Sequence, residues 1–186
     1  MTSLLRLKTR HKTFVSYHHA DEAEVAAFID HFDHDHDVLI SRGIGASMAG
    51  DVINSTDADY IKRRIRELYL RDSSVTLVLV GAQTWGRRFV DWEIAASLRN
   101  TATSSRNGLV AITLPSVSQT PGRQPPVRVS DNIDGENGYA RWMKYPTSAA
   151  SLAGMIDDAF NRRGDVPLSG GVSQHRARSA VVIMPR

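Results

Sequence analysis

The sequence predicts an α/β fold, a doubly wound five-stranded parallel sheet, and three observations predict it. Val75 to Val80 is an unbroken apolar run rich in β-branched residues and closed by Gly81, the pattern of a strand buried on both faces. A helical stripe follows, with Val90, Ile94 and Leu98 at four-residue spacing and Gly86 and the Arg87-Arg88 pair at its approach. Along the rest of the chain, short apolar strands alternate with amphipathic helices, the arrangement that builds a parallel sheet.

Each element has its own warrant. Thr13 to Tyr17, β-branched and aromatic, is a first strand closed by His18-His19-Ala20-Asp21. Glu24 to Phe32 carries Val25, Phe28, Ile29 and Phe32 at helical spacing, with Asp21 as the expected N-cap. Val38 to Ile40 is a short second strand. Ser41 to Asp57 holds Gly43, Gly45 and Gly50 among small polar residues, too glycine-rich for a regular element, and is expected to be a mobile functional loop. Asp59 to Leu70 is an amphipathic helix with Ile61, Ile65 and Leu68 inward and Lys62, Arg63, Arg64, Arg66 and Glu67 outward. After the central strand and helix, Leu109 to Leu114 is a fourth strand, and Pro115 to Asn137 is a long Pro/Gly/Ser-rich connection. Tyr139 to Tyr145 supplies a fifth strand, and Ser148 to Arg162 closes with a helix whose stripe is Leu152, Met155, Ile156 and Phe160. The small version of such a fold is flavodoxin-like, with strand order 2-1-3-4-5.

Composition narrows the class. At 186 residues the chain is one domain by the usual prior, long enough to bury a core. No apolar run approaches the ~18 residues of a membrane span, and the first dozen residues lack the apolar stretch of a signal peptide, so a soluble, cytoplasmic protein is expected. The absence of cysteine excludes disulfides, thiolate metal sites and a cysteine nucleophile. A net charge of +3, spread rather than clustered, gives no reason to expect nucleic acid or a membrane as partner. His31 to Asp37 alternates imidazole and carboxylate, but a short helix-to-strand connection lacks the convergence and outer support of a metal site, and no metal is expected.

Glu93 lies beside the apolar stripe, near the carboxyl end of the central strand, where open α/β sheets place ligand chemistry. Common occupants of the fold fail on residues. His18 to Asp21 has neither the glycine nor the hydroxyls of a phosphate-cradling flavodoxin loop, Val80 to Gln83 lacks the aspartate of a receiver domain, and no GxxxxGK[ST] occurs.

Thr13-Phe14-Val15-Ser16-Tyr17-His18-His19-Ala20-Asp21 resembles the F-[IV]-S-[YF]-x-x-x-D opening of TIR domains. Ser73 to Gly81, then Thr84 and Arg87-Arg88-Phe89-Val90-Asp91-Trp92-Glu93-Ile94, resembles the TIR-like branch that supplies the signalling subunit of Thoeris antiphage defence. The resemblance runs from about Lys12 to Arg163 and includes Gly138 to Trp142. Many TIR domains carry W-C-x-x-E, whereas Trp92 here immediately precedes Glu93, a departure that fits the defence branch. On this reading residues 1–12 are a basic lead, 13–163 a TIR-like domain, and 164–186 a Gly/Ser-rich linker and tail too short for an effector domain.

The resemblance implies cleavage of the nicotinamide–ribose bond of NAD, bound as substrate and not as a permanent cofactor, with Glu93 as the catalytic carboxylate. One carboxylate suffices, because the nicotinamide departs neutral from a pyridinium and needs no protonation. Ser16, Tyr17, His18 and His19 end the first strand beside the same crevice and are candidates for substrate contact; ordinary loop packing is the alternative. Trp85 and Trp92 are candidates for stacking, with core packing the competing role of Trp92. Arg42, Arg87 and Arg88 are candidates for the pyrophosphate. The expected product is a cyclic or linear ADP-ribose signal for a separate effector, with self-association through TIR-like contacts and a phage-derived trigger. A non-catalytic TIR-type interaction module and a nucleoside deoxyribosyltransferase-like enzyme are the alternatives.

The glycine-rich loop generates a prediction of its own. Replacing Gly43 and Gly45 with proline is expected to suppress both higher-order association, seen by light scattering, and turnover; a strictly monomeric variant that still turns over would show that assembly is not required.

Overall fold

A computed structural model of the chain describes residues 10–42, 57–102 and 104–169, without the side chain of Arg42. Of the glycine-rich loop expected over Ser41 to Asp57, Ser41 and Arg42 belong instead to the second strand and Asp57 caps the following helix, while 43–56 lie outside the described residues. The strands are β1 (His11–Ser16), β2 (Leu39–Arg42), β3 (Val75–Val80), β4 (Gly108–Thr113) and β5 (Ala140–Met143). Between and after them lie α1 (Glu22–Ile29), α2 (Ala58–Ile65), α3 (Arg88–Ser97), the short α4 (Val127–Ser130) and α5 (Ala149–Asp165), the last capped by the Ser148 hydroxyl on the Ser151 amide at 3.2 Å. All four strand pairings are parallel, and the order is β2-β1-β3-β4-β5, as the sequence predicts. The chain moves outward from β1 to β2 and then returns to β3, which makes the carboxyl ends of β1 and β3 the topological switch point, the place where open α/β sheets take their ligands.

Every residue of β3 is buried, and alternation sends its side chains to two different cores. Val75, Leu77 and Leu79 join Val15, Val110 and Ile112 under α1 and α5. Val78 and Val80 join Leu109 and Ala111 under Val90, Ile94 and Leu98 of the α3 segment. Phe14, on the same face, packs with Ile61, Ile65 and Leu70. Among the described residues no helix is long and apolar enough to cross a membrane.

Three local expectations are corrected. The helix beginning α2 is α-helical to Ile65 and then widens into a π turn, Arg66–Leu70. The wider i→i+5 winding shifts the phase of the stripe, so Leu68, expected inward, is 45% exposed, while Arg66, expected outward, is 8% exposed. The Arg66 guanidinium donates to Ala96 O at 2.8 Å, Ser104 Oγ at 2.9 Å and Ser105 O at 2.9 Å, and desolvation lowers its pKa. A second π turn, Asp30–Asp35, carries the first helical segment past Phe32. Asp21 stands at the N-cap of α1 but its side chain makes no cap hydrogen bond; the preceding 3-10 turn is capped instead by His18, whose ring accepts from the Ala20 amide.

At the opposite end of the sheet, the Tyr139 hydroxyl donates to Asn107 O at 2.5 Å, and Asn107 Nδ2 donates to Ser73 Oγ and Thr76 Oγ1. Gly108 begins β4 against the backbone of α5: a Cβ there would lie 1.9 Å from Ala159 O. Gly108→Ala is therefore expected to lower stability by about 1–3 kcal/mol, read by urea unfolding, because neither strand nor helix backbone yields without repacking.

Candidate active site

Two facts of local geometry bring the central pair together. Alternation along β1 turns Phe14 and Ser16 to the α3 face and Val15 to the other, and Ser16 is in register with Val78, over which α3 packs. Glu93 precedes the buried Ile94 by one residue, so it leaves the edge of the helix stripe and comes back toward the sheet's switch point. The result is a hydrogen bond of 2.5 Å from Ser16 Oγ to Glu93 Oε2. Ser16 is 1% exposed, whereas Glu93 is closely surrounded by protein and half-buried as a whole residue. Burial pushes the Glu93 carboxyl up to about 7, and the Ser16 hydrogen bond pulls against that rise. At neutral pH the group divides between its acid and its carboxylate.

The turn after β1 separates the remaining candidates. Tyr17 packs against the α1 and α5 core, on the opposite layer from Glu93. His18 accepts from the Ala20 amide through Nδ1 at 3.3 Å, and its ring lies 4.2 Å from that of the exposed His19. Desolvation, then Arg87 and His19, lower the His18 pKa. A neutral ring whose Nδ1 accepts carries its proton on Nε2, so His18 has an N–H donor to present.

Asp21 stands at the expected N-cap position, but its side chain serves another contact. Its carboxyl rests on Gly81, where a Cβ would lie 2.2 Å from Asp21 Cγ. Thr84 Oγ1 lies 3.3 Å from Asp21 Oδ2 and 3.2 Å from Leu79 O, and it accepts from the Gly81 amide at 2.9 Å. This contact ties the turn after β1 to the turn after β3. The available signal was Gly81 itself, a residue without a side chain directly behind a buried strand.

The turn after β3 holds Trp85, 56% exposed, and Gly86 at φ +72°. Arg87 donates to Gln83 O at 2.8 Å and to the Gln83 side chain. The Arg88 guanidinium lies 5.3 Å over the Trp92 ring, and Phe89 meets that ring edge-on at 5.2 Å. Half-buried, Trp92 packs against the cluster of Phe14, Ile61, Ile65 and Leu70. Asp91 is paired bidentately with Arg128, both distances 2.9 Å. Arg42 ends β2, and its side chain lies outside the described residues.

The histidine–aspartate run has structural work. Asp33 accepts from the Ser41 amide at 3.0 Å and hydroxyl at 2.6 Å and pairs with Arg10 at 3.2 Å, which holds the start of β2. His34 pairs with Asp30, and His31 packs on His36. Among the described residues, no three His, Asp or Glu side chains converge as metal ligands.

A family model described as "Thoeris protein ThsB, TIR-like domain" matches residues 14–119, more than half of the chain. The match spans β1 through the turn after β4 and so includes both Ser16 and Glu93. No curated protein matches the chain.

The raised Glu93 pKa carries a consequence for stability. Between the unfolded value of 4.5 and the folded value of about 7 the unfolded chain releases its proton first, so stability is complete below about 4.5 and is lost as pH rises to about 7. Glu93→Gln is expected to remove this loss. In paired urea titrations from pH 4.5 to 8, the variant should gain up to about 2–3 kcal/mol on the wild type, with the gain levelling off above pH 7.

Proposed function

Given that the chain belongs to the Thoeris ThsB TIR-like domain family, we propose that it breaks the nicotinamide–ribose bond of NAD and converts the ADP-ribosyl half into a cyclic or linear nucleotide signal. The observation that carries this reading is Glu93, a half-buried residue at the switch point of the sheet whose carboxyl is held by a buried hydroxyl. As the C–N bond breaks, its electron pair passes to the pyridinium nitrogen, nicotinamide leaves neutral, and positive charge develops on the ribose. A carboxylate in a poorly solvated position opposes that charge more strongly than one in water. Addition of water, or of a nucleophile within the same molecule, completes the reaction with loss of one proton.

Other side chains fit subordinate parts. The exposed Trp85 indole is available to stack on a planar ring, and the His18 Nε2–H lies in the neighbouring turn as a hydrogen-bond donor. The product would act on a separate effector, and activity would follow a phage-derived trigger and self-association.

The purified chain, with and without extract from phage-infected cells, is expected to release nicotinamide from NAD, resolved by chromatography and mass spectrometry. Glu93→Gln should lower that rate at least about 100-fold while circular dichroism and melting show an intact fold. In the wild type kcat/KM should rise with pH through about 7 as the carboxylate forms. The limb in kcat should lie lower, because the bound pyridinium cation favours the ionised form. No nicotinamide release under either condition would overturn the reading.

A further inference from the structure

We propose that Ser16 is a positioning residue for Glu93: its hydroxyl holds Oε2 at the end of β1, and thereby turns Oε1 toward the substrate. The inference rests on the proposed NAD chemistry for its catalytic part, while its structural part stands on geometry alone. Ser16 is 1% exposed and its Oγ is 2.5 Å from Oε2, at the short end of charge-assisted hydrogen bonds. A side chain so enclosed, with its proton committed to Glu93, is better placed to aim the carboxylate than to meet the substrate itself.

The anchor is also rigid. Ser16 belongs to β1, pairs with Val78 of the fully buried β3, and has one rotatable bond before its oxygen. Glu93 has three side-chain torsions and, among the described residues, no other hydrogen-bond donor, so this one bond decides where its oxygens lie. Oε1 has no partner among those residues. The charged groups of the neighbouring elements are engaged elsewhere. Asp91 is on Arg128, Arg87 on Gln83, Arg88 on Trp92, and Asp21 against Gly81 and Thr84. Lys62 on α2 and Arg99, just past α3, share Asp59. His18 is held within its own turn. Among the described residues, neither Arg nor Lys therefore substitutes for the hydroxyl.

The test uses the full chain with Ser16→Ala and Ser16→Thr, the latter keeping a hydroxyl on a residue suited to a strand. Glu93 is followed by carbon-13 NMR of its carboxyl, assigned by its disappearance in Glu93→Gln. In Ser16→Ala its titration midpoint should move up by roughly one unit and in Ser16→Thr return toward the wild type. The rising limb of kcat/KM should move with it. At a pH above both midpoints, Ser16→Ala should retain a kcat roughly tenfold down, the positioning loss, with KM changed less than about twofold. An unmoved Glu93 titration overturns the proposal, as does a raised KM with kcat unchanged, which would make Ser16 a substrate contact. A shifted titration in a chain that never cleaves NAD would support the Ser16–Glu93 coupling and overturn the proposed function instead.

Discussion

A strand buried on both faces needs a helix layer for each face, and β3, with all six residues of VTLVLV inaccessible, imposes that requirement on the rest of the chain. α1 and α5 answer it on one side, and α2, α3 and α4 on the other. Because β1 is paired to β3 residue by residue, the same alternation that sends Val78 and Val80 under α3 sends Ser16 there too. The candidate site is thus a by-product of core packing: the helix that covers β3 brings a carboxylate to Ser16, the buried polar side chain at the end of β1.

That meeting leaves a carboxylate in an unfavourable place. Burial raises its pKa, and a single hydroxyl offsets part of the rise. A carboxylate satisfied by several donors or an arginine would be more stable and a weaker partner for a developing cation, since its charge would already be neutralised. The burial that makes Glu93 locally unfavourable is also what the chemistry we propose for it would use.

Other buried polar groups connect elements instead. Asp21 and Thr84 join the two turns that flank the switch point, through contact with Gly81 too close for any side chain there. Arg66, buried with no carboxylate partner among the described residues, binds the Ala96 carbonyl near the end of α3 and the carbonyls of Ser104 and Ser105. The partial negative charge at a helix carboxyl end suits a cation, and the contact secures the far end of the helix that carries Glu93.

By itself the sequence determined what periodicity encodes, the buried β3 run, the α3 stripe and a glutamate beside the strand end, and the fold class that these imply carried the strand order with it. It also held a clue left unused, since period two along β1 requires Ser16 and Tyr17 to face opposite layers, and the structure puts Tyr17 against α1 and α5. Tertiary structure alone decided the rest. Arg66 and Leu68 exchanged roles because a π turn, which no apolar spacing announces, shifted the helix phase. Asp21 keeps its place at the N-cap but sets its carboxyl against Gly81, and Ser16 found Glu93 across 77 residues of chain. Local patterns state which face a side chain takes, but its partner on that face exists only after the sheet has closed and a helix from elsewhere in the chain has packed over it.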